Sequence, residues 1–293
     1  MSEIYNEIET PETPEKIDLE DLIIEVTRKC NMKCCHCLRG RADDLDMPRE
    51  YIKNILSRVC SIDVLTFTGG EPSLGINAML ETLRYCARYR IPVREVYIAT
   101  NGKHVPEEFI EALRQWDMYC KESHIRDRIN EYIGGTDAVK LVRWLTNDED
   151  GHMGIRVDLS MDGYHEDIPI KNILALMTLP GTLGTGKYHK ENDEDWLIRT
   201  GQAEWNGIGD YDSTTKRNWA YGDGAGEFEL ERWSNGQLHA TQLYVACDGS
   251  ICKYCDYSYE DIEEYALASA KDKNWLDGLI EKHLKKEEKQ DNG

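Results

Sequence analysis

The sequence predicts an α/β protein organised on a parallel sheet, with a smaller antiparallel appendage after it. Three observations carry this. Short apolar runs alternate with amphipathic helical stretches through about the first 200 residues, the grammar of right-handed βαβ units. Polar, glycine-rich segments follow four of those runs in succession, at the strand ends where parallel barrels place their active sites. After about residue 200 the pattern changes to short strand-like runs joined by Asn-Gly and Asp-Gly, which are strong hairpin signals.

Residues 1–17 are acidic with weak periodicity, which predicts a mobile arm. Leu22-Ile23-Ile24-Glu25-Val26-Thr27 reads as a buried parallel strand. From Pro48, the apolar positions Tyr51, Ile52, Ile55, Leu56 and Val59 recur at helical spacing. Val64-Leu65-Thr66-Phe67 is a second strand, and Ile76, Met79, Leu80, Leu83 and Cys86 form the stripe of a second helix. Val93 to Ala99 is a third strand, residues 106–146 are helical, and Ile155 to Ser160 is a fourth strand. A helix at about 169–179 and a weak strand near Trp196-Leu197-Ile198 follow. Segment 201–226 has no assignable element. Glu227–Trp233, Gln237–Cys247 and Ser250–Tyr254 then read as a meander, with turns at Asn235-Gly236 and Asp248-Gly249. Ser258 with Asp261 resembles a capping box opening a helix to about Ala270, and the charged tail KHLKKEEKQDNG is expected to fray.

The chain of 293 residues accommodates one barrel-sized domain, taken as 18–200, and an extension at 201–293. Hydrophobic residues at 40% suffice for a core, while a mean hydropathy of -0.61 fits a soluble protein. The acidic start has no basic or apolar leader region, and no run of about 18 apolar residues occurs, so neither a secretory signal nor a membrane span is expected. The expected location is the cytoplasm. A net charge of -20 disfavours a phosphate backbone as partner.

Ten cysteines without a leader favour metal or redox chemistry over disulfides. Cys30, Cys34 and Cys37 stand as C-x3-C-x2-C, so their thiolates can turn from one loop onto one centre. Soft sulfur suits an iron–sulfur cluster, zinc or copper. Three ligands are one fewer than a closed site needs, which leaves a position for something that is not protein. Cys35 lies outside the pattern and is read as a bystander. Cys60, Cys86 and Cys120 are read as small packing residues.

This cysteine pattern after the first strand, with Gly69-Gly70-Glu71-Pro72 after the second, resembles the radical S-adenosylmethionine (radical SAM) enzyme superfamily. The similarity covers roughly residues 20–200, and His36 stands where the family has an aromatic residue. It implies a partial (β/α)6 TIM-like barrel with an antiparallel β-meander plus helix at the C-terminus. It implies a [4Fe-4S] cluster on Cys30, Cys34 and Cys37, with S-adenosylmethionine on the fourth iron. Reductive cleavage would then yield a 5′-deoxyadenosyl radical that abstracts hydrogen from a substrate. Gly69, Gly70 and Glu71 inherit the contact to the methionine ammonium. Ser160 and Asp162 resemble the family's polar pair near the cofactor ribose and carboxylate, and Asn101 matches a frequent family segment; ordinary turns are the alternative for all three. Arg199 to Ala203 resembles a Gly-Arg-Ala stretch with the Arg displaced, and its role is left open.

Cys247, Cys252 and Cys255 form a second set. A two-residue turn at Asp248-Gly249 would put Cys247 and Cys252 on one strand face, able to meet one metal with Cys255. The set resembles twitch or SPASM extensions, which hold a second, auxiliary cluster, but it has shorter gaps and no fourth ligand. Zinc and unmetallated thiols are the alternatives. Gly181 to Lys187 fits the first seven positions of a P-loop, yet Tyr188 replaces the magnesium-binding hydroxyl, so it is read as a loop.

The expected function is hydrogen abstraction from a peptide, protein or small molecule, with a flavodoxin or ferredoxin as electron donor. The peptide preference rests on the likeness of the C-terminal meander to extensions of peptide-modifying members. A non-catalytic iron–sulfur or zinc module is the competing class, and an RNA-modifying radical enzyme is disfavoured by the charge.

Overall fold

The computed structural model describes residues 14–131, 154–160, 164–186, 198–199, 201–208, 211–212, 229–255 and 257–290. Its frame is one mostly parallel sheet. Strands β1 (Ile17–Thr27), β2 (Val59–Gly69), β3 (Val93–Thr100), β4 (Gly154–Ser160) and β5 (Thr182–Gly186) lie side by side in chain order, all parallel. Helices α1 (Arg49–Leu56), α2 (Ile76–Tyr89), α3 (Glu107–Glu131) and α4 (Ile170–Leu176) follow β1 to β4 in the chain.

Strand parity sorts the sheet into two faces. Leu22, Leu65, Val96 and Ile155 stand in one transverse row, and Ile24, Phe67, Ile98 and Val157 in the next. All eight are buried in the main core, with Ile52 and Ile55 of α1, Met79 and Leu83 of α2, and Phe109 and Leu113 of α3. The opposite face carries Asp21, Thr66, Glu95, Tyr97, Arg156 and Asp158. A one-residue slip of any strand would exchange these sets, so burial of the apolar face holds the register.

Two short strands, β6 (Ile198–Arg199) and β7 (Tyr211–Asp212), form a separate parallel pair. Helix α5 (Gln202–Trp205) lies between them in sequence. The chain then enters β8 (Leu230–Arg232), β9 (Leu238–Val245), β10 (Ser250–Cys252) and β11 (Ala268–Ser269), and ends in helix α6 (Trp275–Gln290). β8, β10 and β11 pair antiparallel, as hairpin chemistry predicts. β9, however, lies parallel against β1, so the meander continues the main sheet. The order is β11-β10-β9-β1-β2-β3-β4-β5, which gives six adjacent parallel strands and an open sheet. Among the described residues no helix is long and apolar enough to cross a membrane.

Four expectations are corrected. The strand after β4 is Thr182–Gly186, in the stretch read as a loop, while the weak strand expected near Trp196-Leu197-Ile198 is β6 at Ile198–Arg199, outside the main sheet. The Thr-Leu-Gly-Thr-Gly sequence has weak strand propensity, but the exposed edge of β4 offers backbone partners that outweigh it. The helix expected from Ser258 is a series of turns instead: the Ser258 and Asp261 side chains do bond at 2.6 Å, yet Leu267 and Ala270 donate to Ile251 and Gly249 across the sheet edge. Val59 opens β2 rather than closing α1. The charged tail is helical through Gln290 because Trp275, Leu276 and Leu279 bury one stripe in the core. Residues 1–13 of the expected arm and 132–146 of the expected helix lie outside the described residues. β1 begins at Ile17, which is fully buried.

Asp21 gives this sheet a pH dependence. Burial on the polar face pushes its carboxyl from 3.8 up to about 6, opposed by the Thr66 hydroxyl at 3.0 Å and reinforced by Glu95. The folded chain therefore binds more proton than the unfolded one between those values, so stability falls as pH rises through that window. The shift corresponds to about 3 kcal/mol at most, and partial exposure reduces this to about 1–2 kcal/mol. Asp21→Asn keeps an acceptor for Thr66, and is expected to raise stability by that amount at pH 7 and by little near pH 4. Denaturant unfolding at both pH values checks it.

Candidate metal centre

The cysteine loop leaves the C-terminal end of β1, and backbone bonds pin its return. Arg28 N donates to Leu45 O at 2.7 Å and Met47 N to Val26 O at 3.1 Å. Thr27 Oγ1 holds Asp46 at 2.7 Å, and Lys29 Nζ bonds the same carboxylate at 2.6 Å. Within the loop, Cys37 N donates to Cys34 O and Gly40 N to Cys37 O, both at 3.3 Å. Cys30, Cys34 and Cys37 are half-buried, whereas Cys35 is exposed. Burial pushes the Cys30 thiol up, opposed by the Met32 amide and reinforced by Glu71 and Cys37 nearby.

The Gly-Gly-Glu-Pro segment closes against the base of this loop. Gly70 N donates to Thr27 O and Glu71 N to Lys29 O, each at 2.8 Å. A Cβ on Gly69 would stand 2.1 Å from Thr27 O, and one on Gly70 2.2 Å from Lys29 O, so no side chain fits at either position. The Glu71 carboxylate is turned inward and fully buried. Oε1 accepts from Ser73 N at 3.1 Å, Ser73 Oγ at 2.7 Å and Thr100 Oγ1 at 2.7 Å, while Oε2 accepts from Asn101 N at 2.8 Å. Burial raises its pKa and these donors oppose the rise. Oε2 alone keeps acceptor capacity.

Glu71 thus ties the ends of β2 and β3 together. In Glu71→Gln the amide nitrogen must face either the Asn101 N–H or the three donors at Oε1. One buried donor is left unmatched, and a loss of about 2–3 kcal/mol is expected in thermal or urea unfolding.

Asn101 reaches the cysteine loop directly. Its Nδ2 donates to Asn31 Oδ1 at 2.8 Å and lies 3.8 Å from Cys30 Sγ, while its Oδ1 accepts from Lys103 N at 2.9 Å. Ser160 ends β4, half-buried on the polar face; Asp162 lies outside the described residues.

Residues that sequence reasoning left open or missed complete the surroundings. Gly201, at φ +58, passes so close that a Cβ would stand 2.3 Å from Leu38 O. Gln202 N donates to Cys37 O at 2.9 Å and Asn206 Nδ2 to Cys35 O at 3.0 Å. From the C-terminal segment, Tyr259 N bonds Arg39 O at 2.8 Å, and the Arg28 guanidinium lies 4.5 Å from the Tyr259 ring centre. Buried Arg39 bonds Tyr257 O at 3.1 Å and stacks on Tyr244. Glu25, fully buried, accepts from Arg28 Nε at 2.7 Å and from the Tyr244 hydroxyl. The Gly201-Gln202 pair lay in a stretch already singled out, but nothing local in the sequence marks Arg39 or Tyr259.

The two-residue turn expected at Asp248-Gly249 requires a correction. The hairpin pairs Val245 with Ile251 and Tyr244 with Cys252, and Ala246 N donates to Ser250 O, so Cys247-Asp248-Gly249 is a three-residue loop. The extra residue turns Cys247 away from Cys252. Cys247 packs in the main core with its thiol 2.9 Å from Glu25 O; Cys252 packs with Ile23, Tyr244 and Tyr257, its thiol 3.6 Å from Ile262 O. Burial pushes both thiols up, Cys252 to about 12. Cys255 lies partly buried beside the second group. Among the described residues no three Cys, His, Asp or Glu side chains stand close enough to hold a single ion.

A single ion and a four-iron cluster make different demands. Thiolates at separate corners of a cluster stand further apart than those around one atom. Two buried donors around Cys37 also lack acceptors among the described residues: Gln202 Nε2 and the Tyr259 hydroxyl. An acceptor-rich sulfide cluster beside Cys37 would suit both, so these residues fit such a group.

Comparison with known proteins matches residues 24–122, about a third of the chain, to the family model described as the radical SAM superfamily. This segment runs from β1 through the cysteine loop and Gly-Gly-Glu-Pro into α3. An uncharacterized protein of Methanocaldococcus jannaschii is 29% identical over 125 residues, covering 40% of this chain and 44% of its own length. A putative glycyl-radical enzyme activating enzyme of the same organism is 32% identical over 106 residues, covering 35% and 42%. The chain thus spans less than half the length of these curated relatives. Among solved structures, native anSMEcpe with bound AdoMet and Cp18Cys peptide aligns at TM-score 0.48 and 13% identity, over 90% of this chain and 80% of that one. Streptococcus suis SuiB bound to precursor peptide SuiA aligns at TM-score 0.37 and 15% identity, over 88% and 64%. The matched segment contains the three patterned cysteines, both glycines, Glu71 and Asn101; Ser160 and the C-terminal cysteines lie beyond it.

Proposed function

We propose that this chain is a radical SAM enzyme in which Cys30, Cys34 and Cys37 hold a [4Fe-4S] cluster. When bound, the cluster with S-adenosylmethionine supplies reductive cleavage of the sulfonium and a 5′-deoxyadenosyl radical that abstracts hydrogen from a substrate. The observation that carries this reading is the convergence of Gly69, Gly70 and Asn101 on Cys30 at the C-terminal end of the parallel sheet. A purely structural metal site has no use for that convergence. The glycines keep the loop at Thr27 and Lys29 close enough for its backbone oxygens, with Glu71 Oε2, to face an ammonium. Asn101 orients the loop through Asn31 and shields Cys30. Ser160 ends β4 and Asp162 follows it in sequence, where they would meet the ribose and carboxylate of the cofactor.

A peptide or protein substrate is the preferred class, supported by the relative described as a glycyl-radical enzyme activating enzyme. A flavodoxin or ferredoxin would supply the electron. The charge of -20 and the want of a basic tract argue against nucleic acid, and the expected location is the cytoplasm. Cys247 and Cys252 act as buried thiols in this reading, so one cluster, with about four iron and four sulfide, is expected per chain. Anaerobic reconstitution with iron and sulfide analysis tests this, together with chromatography for 5′-deoxyadenosine after reduction. Zinc without sulfide, or a reconstituted cluster that cleaves no cofactor, would sink the proposal.

A further inference from the structure

Two polar side chains end beside the cysteine loop with no protein group to bond. The Tyr259 hydroxyl and Gln202 Nε2 are both buried, and neither has a hydrogen-bond partner among the described residues. A buried donor left unmatched costs stability, so native folds rarely keep one without an acceptor to fill it. The two residues come from separate segments, yet both are anchored on the stretch from Cys37 to Arg39. Gln202 N donates to Cys37 O at 2.9 Å, and Tyr259 N to Arg39 O at 2.8 Å.

Each approach is held at a second point. Gly201 lets its segment press against the loop, where a Cβ would stand 2.3 Å from Leu38 O and 2.7 Å from Cys37 O. Asn206 Nδ2 bonds Cys35 O at 3.0 Å, so the turn that carries Gln202 is tied to the loop at both ends. The Tyr259 ring centre lies 4.5 Å from the Arg28 guanidinium, which Glu25 and Asp248 hold at 2.7 Å each. Burial pushes the Tyr259 phenol up, with Glu25 and Cys37 reinforcing the rise and Arg39 and Arg28 opposing it. The phenol therefore keeps its proton and stands within electrostatic reach of Cys37.

An amide nitrogen can only donate, so a partner shared by both side chains must accept. Beside Cys37 as a cluster ligand, the acceptors are sulfur: the thiolate itself and the sulfides of a [4Fe-4S] core. Hydrogen bonds to those sulfurs are among the terms that set the potential of such a cluster. One-electron reduction adds negative charge, and donors bond the more negative form more strongly, so they raise the potential. Neither residue lies within 24–122, the part of the chain that matches the family model.

We propose that Tyr259 and Gln202 donate hydrogen bonds to sulfur at the Cys37 corner of the cluster and raise its reduction potential. The inference rests on the reading that Cys30, Cys34 and Cys37 hold a [4Fe-4S] cluster. It gives two segments outside the cysteine loop control over how readily the chain accepts its electron.

Anaerobic redox titration of the reconstituted full chain, without S-adenosylmethionine, tests this through the electron paramagnetic resonance of the reduced cluster. Tyr259→Phe keeps the ring and the bond to Arg39 O but removes the hydroxyl. Gln202→Met keeps the side-chain length and the bond to Cys37 O but removes the amide. Each is expected to make reduction about tenfold less favourable, a midpoint about 59 mV lower for a one-electron couple, with iron and sulfide content unchanged. Tyr89→Phe, exposed at the end of α2, is the control and should keep the wild-type midpoint. Midpoints within about twofold of the wild-type equilibrium in both Tyr259→Phe and Gln202→Met overturn the proposal. Melting of the iron-free chain is the independent arm. A hydroxyl with no protein acceptor can be removed without loss, so iron-free Tyr259→Phe should melt at or above the wild type. A clear drop would make that hydroxyl a structural group and overturn the proposal as well. Cofactor cleavage is assayed in the same wild-type preparation. Lowered midpoints without cleavage would remove the radical reading and leave the two donors standing; cleavage with unmoved midpoints does the reverse.

Discussion

Cys34→Ala is expected to reduce bound iron from about four atoms per chain to fewer than one, and to abolish 5′-deoxyadenosine formation with it. Two thiolates from a loop cannot hold a cluster whose fourth iron is kept for a small molecule. Cys34 is the middle one of the three proposed ligands. Its substitution leaves the contacts of Asn101 with Cys30 and Asn31 and of Gln202 with Cys37 in place. The variant should therefore keep its secondary structure and melt close to the wild type once both are stripped of iron. Cys35→Ala is the matched control, because that thiol is exposed beside the pattern. It should retain full iron content. Equal losses in the two variants would mean that spacing does not select the ligands. Cys252→Ala gives a third outcome: a buried thiol is lost, costing about 1–2 kcal/mol of stability, with iron unchanged.

The second large effect is expected at the glycines. Gly69→Ala and Gly70→Ala should each destabilise the chain by more than about 4 kcal/mol and lower cluster occupancy in proportion. The reason is collision with backbone, which no rotamer change relieves. The atom in the way of Gly69 is Thr27 O at 2.1 Å, and that oxygen also accepts from Gly70 N at 2.8 Å. Moving it breaks the bond that closes the loop. The two sites also separate two causes of strain. Gly69 has φ +138, whereas Gly70 is not among the positive-φ residues, so Gly70→Ala measures the collision alone. Gly236, at φ +85 with nothing within 4 Å of an added Cβ, measures backbone strain alone, and Gly236→Ala should cost only about 1–2 kcal/mol. Urea unfolding of the three variants checks the order. Comparable losses at Gly70 and Gly236 would refute the steric account.

Much of the architecture was legible because it depends on neighbours in sequence. Helical stripes such as Met79, Leu83 and Cys86, and continuous apolar runs such as Leu22 to Ile24, report their own burial. β1, β2, β3 and β4 appear where those runs lie, with boundaries extended by pairing. β5 was missed for the opposite reason. Its glycines and threonines say little by themselves, and the free edge of β4 decides its state. The trailing helix carries a readable stripe at Trp275, Leu276 and Leu279, but the charge density of the tail masked it.

The candidate site divides in the same way. Ligand spacing in C-x3-C-x2-C, and the need for glycine where two backbones cross, are local chemistry, and residue types alone carry them. Partners distant in sequence are another matter. Parallel pairing of β9 with β1 brings Tyr259 and Arg39 together over the cysteine loop, and a three-residue rather than two-residue hairpin loop sends Cys247 and Cys252 into different cores. The inward turn of Glu71 depends on donors at the end of β3. Hydrogen-bond satisfaction and burial are properties of the assembled sheet, and a strand carries no record of which edge it will meet.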